Sequence, residues 1–263
     1  MGPFSPAISF ADASHQEMLS LIKKRFYEFI PSAHAGAYIR LLYLRFFLKK
    51  LSFRKGLDAG CGPGLYTFFV AEQFPEAHVT GYDISLSDIN ICNQNKIRRK
   101  IDNVTFKPVD LSKLSEPENY DFIFSIDVME HIRGNLLVFK NIYDALKPGG
   151  IFYLAMPYEP GHRYLLPRKY FSNYLSWAKR EHVGEQYSLH AIAHTLNRLG
   201  FSLIDARYTF GFWGKLSWEL DMLTENYRTI QRALKPFIFA GGYLDTLWRN
   251  GPGSFAIRVI TRK

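Results

Sequence analysis

The stretch LDAGCGPGLYT, residues 57–67, constrains the fold more than any other part of the chain. An apolar run carrying one acid, Asp58, meets three alternating glycines, Gly60, Gly62 and Gly64, and an aromatic segment restarts at Leu65. Glycine tolerates the positive φ angles of a tight strand-to-helix reversal. The unpaired N–H groups at the helix start, with no side chains over them, then let a ligand approach the backbone closely. On its own such a loop is compatible with a dinucleotide site or with a tight turn that binds nothing.

From Arg54 onward short apolar runs alternate with helical segments, the pattern of a parallel α/β sheet. Strands are expected at Gly56–Ala59, His78–Tyr82, Val104–Pro108, Phe122–Ile126 and Ile151–Met156. Helices are expected between them at about Leu65–Glu72, Leu86–Lys100, Leu136–Leu146 and Leu189–Leu199. Lys147-Pro148-Gly149-Gly150 reads as the turn feeding the fifth strand. Ser188 reads as an N-cap and Gly200 as a helix stop. Phe201–Tyr208 and Ser254–Thr261 read as a closing antiparallel pair.

Residues 1–51 read as an N-terminal helical extension, with a first helix in HQEMLSLIKKRFYEFI and a second over Ala35–Leu51 that caps the domain or lies on a surface. Arg40 and Arg45 interrupt the second too often for a bilayer span. Residues 52–263 form the main domain, with aromatic-rich inserts at 157–187 and 210–252. Inserts at the carboxyl edge of a parallel sheet are where specificity is built.

Charge and cysteine content narrow the setting. The net charge of +9 invites a nucleic-acid reading, but the densest basic run, KIRRK at 96–100, falls at a helix end, where cations complement the macrodipole. Elsewhere the cations are interleaved with aromatics, which suits a membrane surface or an apolar substrate with a charged end. Cys61 and Cys92 form no disulfide framework and lack zinc-site spacing, and no secretion signal is apparent, so a cytoplasmic setting is expected.

Three carboxylates sharpen the glycine loop. Asp83, about twenty residues past the loop, is placed to accept the two hydroxyls of a ribose. Asp110, just beyond the third strand, reaches an adenine amino group if the ligand follows the sheet edge; it could instead only begin the turn DLSKL. Asp58 favours a ligand with ammonium and sulfonium charges over a pyrophosphate, or caps neighbouring amides.

The combination of LDAGCGPG, Asp83, Asp110 and LKPGG in this order resembles the class I S-adenosylmethionine-dependent methyltransferases over about residues 54–209. The resemblance implies a Rossmann-like, seven-stranded, mostly parallel sheet with helices on both faces, S-adenosyl-L-methionine as cofactor and S-adenosyl-L-homocysteine as product. By that similarity Gly60, Gly62 and Gly64 line the methionine part, Asp58 supports its ammonium end, and Ile84 packs against adenine. Ser125, near the end of strand four, is placed with the cofactor-side residues.

SIDVMEHI, at the end of strand four, lacks the Asn/Asp-Pro-Pro-aromatic element associated with methylation of nucleobase and amide nitrogens. Asp127, Glu130 and His131 instead resemble the acid-x-x-Glu-His element of quinone-precursor O-methyltransferases, with Asp in place of the usual first Glu; no metal is expected on them. Asp127, His131 and His182 are the catalytic candidates, with Tyr187 as an aromatic near the methyl. His190 and His194 are expected to be surface or packing residues. Trp213, Trp218, Phe237, Phe239 and Trp248, with Lys215, Arg232, Lys235 and Arg249 among them, describe amphipathic helices that pack a core or meet a membrane face.

The sequence therefore reads as a methyltransferase for a small, hydrophobic acceptor, a lipid or quinone precursor methylated at oxygen or carbon, working in the cytoplasm or peripheral to the membrane. An RNA or protein methyltransferase is supported by net charge alone, and nucleic acid is not an expected partner. A non-catalytic subunit has no need of Asp58, Asp83 and Asp110 together. The compact Gly-x-Gly-x-Gly spacing disfavours a nicotinamide dehydrogenase.

Overall fold

The structure, a computed structural model, describes residues 34–158 and 164–263, and the helix expected within residues 15–30 lies outside them. Residues 34–263 make one compact unit, which begins ahead of the boundary expected at residue 52. The seven strands are β1 Lys55–Ala59, β2 His78–Asp83, β3 Val104–Pro108, β4 Tyr120–Ile126, β5 Leu146–Pro157, β6 Ser202–Thr209 and β7 Ala256–Arg262. They run in the order β3-β2-β1-β4-β5-β7-β6, with β7 antiparallel to both its neighbours. Phe122, Ile123 and Phe124 of β4 are all fully buried, because a central parallel strand covered on both faces has no solvent side.

Eight α-helices lie among the described residues: α1 Ala35–Leu48, α2 Leu65–Gln73, α3 Leu86–Arg99, α4 Asn135–Ala145, α5 Ser172–Glu181, α6 Leu189–Arg198, α7 Phe212–Thr224 and α8 Arg228–Leu247. Ser85 caps α3 by accepting from Asp88 N, and Ser188 caps α6 by accepting from Ala191 N. Lys96, Arg98 and Arg99 occupy the last turn of α3, where their charge complements the helix dipole. The Lys147–Gly150 segment is less simple than a turn. Leu146 pairs with Tyr120 and Ile151 with Phe122, so these residues form an excursion inside β5, with Gly149 at φ +79°.

The expectation for α1 needs correction. It is buried between layers, with Phe47 5.3 Å from the Tyr153 ring of the sheet and Tyr38 4.6 Å from the Phe239 ring of α8. A helix apolar nearly all round is an interior helix, and its buried cation, Arg40, must then find a partner inside, while Arg45 is exposed.

Carboxylates fasten the added helices by accepting backbone amides that would otherwise be orphaned. Asp221 takes Ala35 N at 2.6 Å. Asp245 takes Phe210 N and Gly214 N, each at 2.9 Å, and the Tyr43 hydroxyl. Glu219 takes Leu165 N and Leu166 N, each at 2.8 Å.

Of the two settings expected for the inserts, Trp218 takes the packed core, its ring 4.8 Å from Tyr174 and 4.9 Å from Phe255. Lys215 is buried too and donates to Gly253 O. The aromatic inserts thus divide into a packed interior and an outer face.

Candidate active site at the carboxyl edge of the sheet

Strands β3, β2, β1 and β4 are parallel neighbours, so their carboxyl ends share one rim. In that order the rim carries Asp110, Asp83, the glycine loop and Asp127. This adjacency is what a ligand lying along the sheet edge requires.

Gly60, Gly62 and Gly64 have φ of +93°, +47° and +86°. The N–H groups of Gly60 and Cys61 both donate to Tyr82 O, and Gly62 N donates to Asp83 Oδ2 at 2.8 Å. The expectation that all three glycines are bare for a ligand is only partly right. A Cβ at Gly60 would collide with Val128, and one at Gly64 would lie 2.9 Å from Cys92 Sγ. Only a Cβ at Gly62 would meet nothing within 4 Å, so that residue faces the open side of the loop.

Asp58 is buried, and its Oδ2 accepts the Thr67 hydroxyl at 2.6 Å. Its Oδ1 is buried with no hydrogen-bond partner among the described residues. Burial pushes the Asp58 carboxyl up to about 7, against the lowering pull of Thr67 and aided by the nearby Asp83 charge. A buried carboxylate oxygen without a donor is costly unless a cation or donor arrives, so this position fits an ammonium group.

Asp83 Oδ1 accepts Ser85 N at 2.9 Å while Oδ2 holds Gly62. Each oxygen keeps a further lone pair for a hydroxyl donor. Ile84, the next residue, is 75% exposed, an apolar side chain facing outward where a planar ring can rest on it. Asp110 accepts the N–H and hydroxyl of Ser112, which hold its pKa below the usual carboxylate value. It does begin the DLSKL turn, and its other oxygen, Oδ2, lies 3.8 Å from Lys113 Nζ at a half-buried position on the rim. Ser125 is a correction: it is fully buried and donates to Ala59 O at 2.8 Å, tying the ends of β4 and β1 together.

The end of β4 is also rearranged from expectation. Asp127 sits at φ +55° and is clamped by Arg40 of α1, whose Nε donates to Oδ2 at 2.6 Å and whose Nη2 donates to Oδ1. Arg40 is 5% exposed and lies 4.7 Å from the Phe210 ring centroid. The acid-x-x-Glu-His trio therefore does not converge.

Instead Glu130, His131 and His182 offer ligand-type atoms within 4.8 Å of one another, and the two imidazole rings are 5.1 Å apart. The segment after α5 is pressed onto the β4–α4 connection to achieve this. Gly184 N donates to Glu130 O at 2.8 Å, and a Cβ at Gly184 would collide with Met129 O. Glu185 caps α4 by accepting Gly134 N and Asn135 N. His131 Nδ1 lies 3.0 Å from Glu181 O, and since a carbonyl can only accept, Nδ1 carries the proton and Nε2 is the basic nitrogen of the neutral ring.

Tyr187 is turned away from that cluster and donates to Asn135 Oδ1 at 2.8 Å, a positioning role for the loop. His190 and His194 are exposed on α6, as expected. Beside His182 opens a groove of about 860 Å³, walled by Tyr164, Leu166 and Tyr174 with Arg168 and Lys179 at its sides. Sequence reading missed Arg40, Thr67 and Trp177, whose ring lies 5.4 Å from His182. For Arg40 a signal existed, a charge within an otherwise apolar helix; for the other two there was none.

A family profile for a methyltransferase domain matches residues 32–206. Phosphoethanolamine N-methyltransferase 1 of Zea mays is 31% identical over 187 residues, covering 68% of this chain and 35% of that protein. Trans-aconitate 2-methyltransferase of Rhizobium leguminosarum is 31% identical over 112 residues, 41% of this chain and 42% of that one. The chain thus spans well under half the length of these curated relatives. Among solved structures, phosphoethanolamine N-methyltransferase 2 of Haemonchus contortus in complex with S-adenosyl-L-methionine superposes with a TM-score of 0.63 at 20% identity, over 87% of this chain and 56% of that one. At that identity the likeness shows the fold, while the profile match over more than half of the chain shows the family. The chain belongs to the class I S-adenosylmethionine-dependent methyltransferases.

Proposed function

We propose that the protein transfers a methyl group from S-adenosyl-L-methionine to a small, largely apolar acceptor. The observation that carries this reading is the buried, partnerless Asp58 Oδ1 near the end of β1, two residues before Gly60, a position that suits the ammonium end of that cofactor and would repel a pyrophosphate. When bound, the cofactor supplies a methyl on a positively charged sulfur. Asp58 and Gly62 would hold the amino-acid end, Asp83 the ribose hydroxyls, and Ile84 and Asp110 the adenine. The two thiols, Cys61 and Cys92, are free and buried, which supports work in a reducing, cytoplasmic compartment.

Displacement at a sulfonium methyl is an in-line reaction, so the protein chiefly aligns the partners and excludes water. An acceptor that loses a proton needs a base, and His131 Nε2, next to His182 and the buried Glu130, supplies one. Glu130 steadies the positive charge that the imidazoles gain on taking that proton. The groove beside His182 is the acceptor's entry, with aromatic walls for an apolar body and cations for a polar end. Relatives named for phosphoethanolamine and (S)-coclaurine N-methylation add nitrogen to oxygen and carbon as acceptor atoms.

Methyl-labelled cofactor incubated with the protein and cell extract should place label in the small-molecule or lipid fraction. Label found only in RNA or protein discards this reading. Asp83→Ala should weaken cofactor binding at least about tenfold, the worth of charge-assisted hydrogen bonds, as read by calorimetry; unchanged affinity removes Asp83 from the site. His131→Ala and His182→Ala should each lower turnover about a hundredfold with cofactor affinity kept, and two fully active variants would clear both of proton transfer.

A further inference from the structure

We propose that the outer face of α8 docks the protein on an anionic membrane surface. The inner face of this helix is satisfied: Ile238, Gly241, Gly242 and Asp245 are buried against the rest of the protein. On the outer side Ile230, Phe237, Leu244, Leu247 and the following Trp248 are between 41% and 72% exposed. Their spacing of three, four and seven puts them on one stripe, and Ala233 and Ala240, also exposed, fill the remaining steps. A stripe of this kind on a helix roughly 30 Å long is far more than the scattered single apolar residues of an ordinary surface.

Charge identifies the occupant. Within α8 the single acid, Asp245, is turned inward and held by Phe210 N, Gly214 N and the Tyr43 hydroxyl. Arg228 and Arg232 are exposed on one flank of the stripe and Arg249 is exposed just past its end. The face thus presents apolar side chains edged by cations with no anion of its own helix among them. That pairing matches a bilayer interface with acidic headgroups, where the rings and aliphatic chains enter the acyl boundary and the guanidinium groups meet phosphates. No helix among the described residues is long and apolar enough to cross a membrane, so α8 would lie in the interface plane. Of the tryptophans named from sequence, Trp248 and not the buried Trp218 belongs to this surface.

The test is flotation of the full chain with vesicles of phosphatidylcholine, alone or with about a third phosphatidylglycerol. The protein should rise with the anionic vesicles, less so at high salt, and not with the neutral ones. Phe237→Asp combined with Leu247→Asp should lower partition at least about tenfold while cofactor affinity and thermal midpoint stay at the wild-type value. Arg228→Glu with Arg232→Glu should weaken binding to anionic vesicles alone. Absence of wild-type flotation overturns the proposal. Flotation indifferent to the Phe237 and Leu247 changes overturns it as well. A dimer broken by those changes, without flotation, would assign the face to a second copy of the chain instead.

Discussion

Asp58→Asn is expected to make the ligand-free protein more stable above pH 7 while weakening its hold on the cofactor at least about tenfold. The two effects share one cause. Burial raises the Asp58 carboxyl from 3.8 to about 7, so between those values the folded protein keeps a proton that the unfolded chain has lost. Stability therefore declines as pH rises through that window and stays lowered above it. Asparagine carries no charge and removes the penalty, which at pH 8 has an upper bound of about 4 kcal/mol. It also keeps an acceptor for the Thr67 hydroxyl. The cationic end of the cofactor needs the carboxylate, so wild-type affinity should fall as pH drops through about 7 and binding should release a proton. Calorimetry in two buffers of different ionisation heat reads that proton, and a urea titration reads the stability. A flat affinity profile for the wild type together with full affinity in the variant would remove Asp58 from the site.

Where sequence reading succeeded and where it failed has a physical pattern. GLDA, VTGY and FIFSI could be read as strands because parallel strands covered on both faces must be apolar throughout. The rim position of the carboxylates follows from the same pattern, since Asp83 closes β2, Asp110 lies two residues past β3, and these two strands adjoin. What residue spacing leaves open is facing. Residue spacing placed Trp218 and Phe237 on amphipathic helices, but the side buried depends on what packs there, and α7 proved interior where α8 has a free flank. At Gly60 and Gly64, Val128 and Cys92 fill the space where side chains would go, a packing reason for glycine that spacing does not distinguish from the approach of a ligand. The meeting of His131 with His182 rests on Gly184 and Glu185, whose contacts across some fifty residues leave no periodic trace in the sequence.

Asp127→Ala should act first on folding, with a loss of about 3–5 kcal/mol read as a shifted urea midpoint, before any effect on chemistry can be judged. Arg40 is buried and Asp127 is 38% exposed, so removing the acid strands a guanidinium that water reaches poorly. Alanine at φ +55° adds about 1 kcal/mol of backbone strain that Asp and Asn largely escape. The separating experiment is a cycle of Arg40→Met, Asp127→Asn and the pair together. Methionine keeps an apolar contact with Phe210, and replacing both charges of a buried pair is commonly near neutral, so the double variant should return to within about 2 kcal/mol of wild type. Its methyl transfer then decides the role of Asp127. A folded but inactive double variant gives the carboxylate a part in turnover beyond clamping α1. A folded and active one makes Asp127 and Arg40 positioning residues that fix the end of β4, and with it His131, against the inserted helices. Strict additivity of the two single changes would show that the ion pair contributes nothing to either.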